Sequence, residues 1–196
     1  AEPLLESNKV FLQDRSFGSI ENTIMYSSSM IRAFNEHNIM CALKHFPGNT
    51  NDDPHLGLPN IEVSESQFQL LINPFYEILQ NPVLHTSVLL SHAVIPSITG
   101  NVPACFSEEL TTGILKNNIG FDGLILTDDI FMSAIQDHGY DQFAAVDQAL
   151  SAGAHMIMSS QKRFIHLVTY LEEKIKENDV LRSKISDLFY KIIETK

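Results

Sequence analysis

Apolar positions along this chain alternate between two rhythms, short unbroken runs and longer stretches at helical spacing. Ile20, Ile24, Met30, Ile31 and Phe34 fall close to helical spacing and predict one helix over 20–37. Residues 39–43 are then continuously apolar and end at Lys44-His45, the pattern of a strand buried on both faces. A loop rich in Pro, Gly, Asn and Asp follows over 46–60. Ser64-Glu65-Ser66-Gln67 has the form of a capping box and predicts a helix to about Gln80.

The same alternation continues. Residues 87–91 read as a strand with His92 at its C-terminal end, and Ser107 caps a helix to about Asn118. Glu108 and Glu109 in its first turn suit the positive end of the helix dipole. Residues 123–127 form another buried-type strand closed by Asp128-Asp129. A helix over 140–152 stops at Gly153, residues 154–158 make a last strand, and helices from Phe164 and Leu181 finish the chain. Strand and helix in alternation, without a hairpin signal, mean a parallel sheet or barrel. Ligands bind such folds at the C-terminal ends of the strands. Lys44-His45, His92 and Asp128-Asp129 all sit there.

Composition adds limits. The 196 residues are 44% hydrophobic and 19% charged, an ordinary globular mixture without internal repeat or linker, so a single domain is expected. A net charge of −11 argues against a phosphate-binding face and so against nucleic acid. Two cysteines, Cys41 and Cys105, are too few for a disulfide framework and are expected to be reduced and buried. No apolar run has the length of a membrane span, and no charged-then-apolar leader is visible, which leaves a cytoplasmic location as the expectation.

Three constellations carry chemistry. Asp53 and His55 lie two positions apart in the 46–60 loop. They read either as polar surface residues or as a carboxylate–imidazole pair that shuttles protons near neutral pH. Asp128 and Asp129, adjacent at a strand end, point in opposite directions, so one can face a ligand while the other caps the next segment. Both could equally be capping aspartates, since periodicity does not say which points inward. Arg15, in Asp14-Arg15-Ser16-Phe17-Gly18, is either a solvated surface cation or a planar donor for hydroxyl or acyl oxygens.

Taken together, Lys44-His45-Phe46-Pro47-Gly48, Asp53-Pro54-His55, Arg15-Ser16-Phe17-Gly18 and Gly120-Phe121-Asp122-Gly123 with Asp128-Asp129 and Met132 resemble glycoside hydrolase family 3. Within that family they look like the bacterial β-N-acetylglucosaminidase (β-N-acetylhexosaminidase) branch associated with peptidoglycan recycling. Ser91-His92-Ala93, Phe106-Ser107-Glu108-Glu109-Leu110 and Ala152-Gly153-Ala154 extend the match along nearly the whole chain. The β-glucosidase branch usually lacks the Asp-x-His pair.

The resemblance implies a glycosidase on a (β/α)8 TIM barrel, an α/β fold, acting on N-acetylglucosamine-containing glycosides by a retaining mechanism. In it Asp128 is the nucleophile, His55 oriented by Asp53 is the acid/base, Arg15, Lys44 and His45 hold the sugar, and Met132 lines the pocket. No metal or organic cofactor is implied.

Some departures from the family pattern are local, and the larger one is length. The run after Gly48 goes directly to Asn49-Thr50-Asn51 without a His-Gly pair, Pro54 stands where Ser is usual, and His155 stands where Asp is common. A whole barrel takes roughly 250 residues. The expectation is therefore that residues 1–196 form the C-terminal portion of a single barrel domain, from about strand 4 or 5 to strand 8, with Ala1-Glu2-Pro3-Leu4-Leu5 the tail of the fourth. The rest of the barrel, or a second chain, would cover the open side. Two other readings stand beside the active hexosaminidase, a truncated non-catalytic sugar binder and a β-glucosidase-type specificity.

Overall fold

The computed structural model describes residues 1–53, 56–160 and 164–194. Its centre is a four-stranded, wholly parallel sheet of β1 (Cys41–Phe46), β2 (Thr86–Leu90), β3 (Ile125–Asp129) and β4 (Met156–Met158). The strands lie side by side in chain order, with Leu43 opposite Val88, Val88 opposite Ile125 and Leu126 opposite Met156. Consecutive parallel order with helical crossovers is the arrangement of a (β/α) barrel wall. Five longer helices follow or precede the strands: α1 (Ile20–Asn35), α2 (Glu65–Leu79), α3 (Glu109–Asn118), α4 (Gln142–Ala152) and α5 (Phe164–Glu177). A sixth, α6 (Asp179–Glu194), ends the described chain.

Local chemistry explains these elements. In α2 the Ser64 hydroxyl accepts from the Gln67 N–H while the Gln67 side chain accepts from the Ser64 N–H at 2.9 Å, completing the capping box. Phe68, Leu71, Ile72, Phe75 and Ile78 form its buried stripe, although Pro74 interrupts the backbone donors. Phe75 meets Phe46 of β1 edge to face, with ring centres 5.2 Å apart. β2 is buried along its whole length, as a central parallel strand requires. Gly153, at φ +112°, closes α4 in the left-handed region, where a Cβ would also lie 2.7 Å from the Thr112 hydroxyl. The Ser107 hydroxyl accepts from the Leu110 N–H at 3.2 Å, so the expected cap is present. The helix beyond it is wound with π-type bonds, such as Ile119 N–H to the Ile114 carbonyl at 2.8 Å.

Several expectations need correction. The first strand begins at Cys41, not Ile39, and continues through Lys44-His45-Phe46. Helix α1 stops at Asn35, and Asn38 at φ +59° turns the chain, which leaves Ile39 and Met40 exposed ahead of the sheet. Nor is β1 buried on both faces, because Ala42 and Lys44 are exposed and its outer edge has no paired strand among the described residues. For the same reason Cys41 is only half-buried, whereas Cys105 is fully buried; both are free. Residues 1–5 form no strand. They are held by Leu4 N–H to Gly18 O and Ser16 Oγ to Glu2 O, both 2.7 Å, and by the Ala1 nitrogen on the Lys44 carbonyl. Among the described residues no helix is long and apolar enough to cross a membrane.

His155 lies ahead of β4, at the end of the sheet opposite the strand C-termini. Its Nδ1 accepts from the Ile125 N–H at 3.1 Å. Burial, then the charges of Lys116 and Lys191, lowers its pKa from 6.5 to about 4. The folded state therefore favours the neutral ring, and this contribution to stability is complete above the unfolded value of 6.5 and is lost as pH falls towards 4. Buried His92, whose pKa is lowered chiefly by burial, acts in the same direction. Thermal unfolding midpoints should accordingly decline between pH 7 and 4.5, and more shallowly in His155→Gln. Parallel curves for the two proteins would contradict this assignment.

Candidate active site

Three strand ends, the turn after β1 and two preceding helical turns converge on a single cavity. β1 delivers Lys44 and His45, the turn beyond it Asn49, the residues after β2 Ser91 and His92, and β3 Asp128. Phe11 and Arg15, from the helical turns Lys9–Leu12 and Gln13–Arg15, close one side, and Met132 closes another. The cavity holds about 180 Å³, less than the roughly 300–1,000 Å³ of sites that engulf drug-sized ligands.

Period-two alternation separates the neighbouring aspartates. Asp128 faces the cavity, 22% exposed, with Oδ2 3.6 Å from His45 Nε2 and Oδ1 accepting from the Asp129 N–H at 2.8 Å. Asp129 turns away and binds the Phe131 N–H and the Ser160 N–H, each at 3.1 Å, together with the Ser160 hydroxyl. It ties the loop after β3 to the segment after β4. The two roles that the sequence left open are thus divided between the two residues.

His92 donates from Nε2 to the Asp129 carbonyl at 3.0 Å, since a carbonyl can only accept. Its Nδ1 is then an acceptor, 3.2 Å from the Cys105 Sγ. Burial lowers the His92 pKa and raises that of Cys105, so a neutral ring receives a weak bond from an intact thiol. His92 braces the backbone that carries Asp128.

Beneath His45 lies Glu2, which sequence reasoning did not place in the site. Its carboxylate is 9% exposed, 3.0 Å from His45 Nδ1, and it accepts from Asn49 Nδ2 at 2.7 Å. Burial works against its ionisation, but the hydrogen bond and attraction of His45, with the bond from Asn49, outweigh it and hold the pKa below the ordinary value. Asn49, 3% exposed, also receives a long bond from Ser91 Oγ at 3.5 Å. Phe11, Asn49 and Ser91 were likewise missed. Asn49 had one signal, its place in the loop where the family pattern is broken.

Of the expected site residues, Arg15, Lys44, His45, Asp128 and Met132 meet in this cavity. The Arg15 guanidinium sits 5.1 Å over the Phe11 ring, and both Arg15 and Lys44 are exposed residues. Asp53 lies partly buried in the loop after β1 and is not among the residues that line the cavity. His55 falls outside the described residues. That loop is pinned by Asn51, whose Oδ1 accepts from the Val10 and Phe11 N–H groups at 2.8 and 3.3 Å.

Comparison with known proteins matches residues 6–195 to the model of the glycosyl hydrolase family 3 N-terminal domain. A β-hexosaminidase of Idiomarina loihiensis is 30% identical over 154 residues, covering 76% of this chain and 45% of that protein. The chain spans less than half the length of that curated relative. Zn-bound CbsA of Thermotoga neapolitana superposes with a TM-score of 0.88 at 27% identity, over 98% of this chain and 42% of CbsA. A family 3 β-N-acetylglucosaminidase of Paenibacillus sp. str. FPU-7 gives 0.86 at 25%, over all of this chain and 39% of that one. The parallel arc is accordingly part of a TIM-barrel fold, and this chain belongs to glycosyl hydrolase family 3.

Proposed function

We propose that the protein containing this chain removes terminal β-linked N-acetylhexosamine with retention of configuration, and that Asp128 is the nucleophile. The observation that carries this reading is the position of the Asp128 carboxylate, at the C-terminal end of β3 in a cavity shared with Arg15, Lys44, His45 and Met132. Asp128 attacks the anomeric carbon, forming a glycosyl ester as the bond to the leaving oxygen breaks. His55, oriented by Asp53, supplies a proton to that oxygen. It then takes a proton from water, which attacks the anomeric carbon, breaks the bond to the Asp128 carboxylate and frees Asp128. A histidine acid is neutral when deprotonated and adds no negative charge beside the nucleophile. Arg15 and Lys44 offer donors to the sugar hydroxyls and acyl oxygen. Peptidoglycan fragments, the source of substrate that the family resemblance implies, belong to the same proposal.

The full-length protein should cleave an aryl N-acetyl-β-glucosaminide at least about 100-fold faster than the matching glucoside, a margin that a site bonded to the acyl group supplies. The first product should be the β-anomer. A faster glucoside reaction would transfer the protein to the β-glucosidase specificity. Saturable N-acetylglucosamine binding by a folded protein without turnover would leave the non-catalytic reading.

A further inference from the structure

Glu2 has no assigned role, yet it is a carboxylate withdrawn from water against His45, and such a group costs stability unless its lone pairs are occupied. One oxygen takes the Asn49 amide at 2.7 Å and the other faces His45 Nδ1 at 3.0 Å. Asn49 Nδ2 also comes within 3.1 Å of His45 Nδ1, so two hydrogen arrangements compete. With the proton on Nε2, Nδ1 would accept from Asn49 but would set its lone pair against a carboxylate, while Nε2–H would reach Asp128 over a poor 3.6 Å. With the proton on Nδ1, Glu2 receives a charge-assisted bond, roughly twice as strong as a neutral one. The second arrangement wins.

We propose that Glu2 is a positioning residue that holds His45 as the Nδ1–H tautomer and so presents a bare Nε2 to the cavity beside Asp128. A bare Nε2 accepts a hydroxyl proton of the sugar and withholds a bond from the Asp128 oxygen that faces it. Asn49 completes the device by fixing the second oxygen of Glu2, at the point where the loop departs from the family pattern. The consequence for catalysis rests on the glycosidase reading above; the tautomer does not.

The test is long-range proton–nitrogen correlation on full-length protein labelled with nitrogen-15 histidine, at a pH where neutral rings dominate. His45 is assigned by the signal missing in His45→Gln. The unmodified protein should carry its His45 proton on Nδ1, and a proton on Nε2 there overturns the proposal without any variant having to fold. Glu2→Leu should move the proton to Nε2, and an unchanged tautomer also overturns it. Hydrolysis of the aryl N-acetyl-β-glucosaminide should fall by about 10- to 100-fold in Glu2→Leu, the scale seen when the carboxylate that orients a metal-ligating histidine is removed. Unaltered kinetics in a folded variant overturn the positioning role. An unmodified protein that shows the Nδ1 proton but hydrolyses nothing would refute the glycosidase reading and leave the tautomer assignment standing.

Discussion

Asp128→Asn is expected to lower hydrolysis of an aryl N-acetyl-β-glucosaminide by about 10,000-fold or more, the scale reached when a covalent nucleophile is removed. The replacement is nearly isosteric. An amide oxygen can keep accepting from the Asp129 N–H, as Oδ1 does now at 2.8 Å, so the end of β3 has no reason to rearrange. What is lost is the negative charge and the reactive lone pair near His45. The unfolding midpoint should stay within a few degrees of the unmodified protein, and kcat should carry most of the deficit. Asp129→Asn should behave oppositely. Its carboxylate ties Phe131 to Ser160, so the amide should weaken the fold and reduce turnover far less. Retention of more than about 1% of the activity by Asp128→Asn would remove Asp128 from the nucleophile's role.

Phe75→Ala should destabilise the protein by about 3–5 kcal/mol, the usual range for deleting a buried aromatic ring and leaving a cavity. Phe75 is fully buried on the inner stripe of α2 and packs edge to face on Phe46, the last residue of β1. Removing it opens a void between helix and sheet beside Phe46. For a domain near this length the unfolding midpoint should drop by about 6–20 °C. Activity measured well below that midpoint should fall less than in Asp128→Asn. Calorimetry that finds a shift of only a degree or two would mean that α2 does not anchor the sheet.

Fold and site were legible in the sequence to different depths. Short apolar runs ending in polar residues located the strands and their C-terminal ends, because in a parallel sheet burial and the position of the site are both written locally. The capping box at Ser64 and the stop at Gly153 were local for the same reason. The start of β1 was misplaced because Ile39 and Met40 are apolar but exposed, and hydrophobicity alone cannot separate an edge from a centre. The π winding of α3 leaves no periodic signature distinct from an ordinary helix. Glu2 was invisible because its partner, His45, lies 43 positions away, and no pattern around residue 2 marks a carboxylate that folding will bury. The opposition of Asp128 and Asp129 followed from strand geometry, but which one faced inward needed three dimensions.

The chain-order pairing of the strands reaches beyond stability. Each strand adds its chemistry at or next to its C-terminal end, so its polar tip can change while the register behind it stays fixed. The turn that carries Asn49 illustrates the point, since an altered run of residues there leaves Leu43 opposite Val88 and still recruits Asn49 to the cavity. Such a scaffold separates inheritance of shape from inheritance of selectivity. New sugar preferences can arise by exchanging one tip at a time, each exchange judged on its own, while the interior remains a common inheritance.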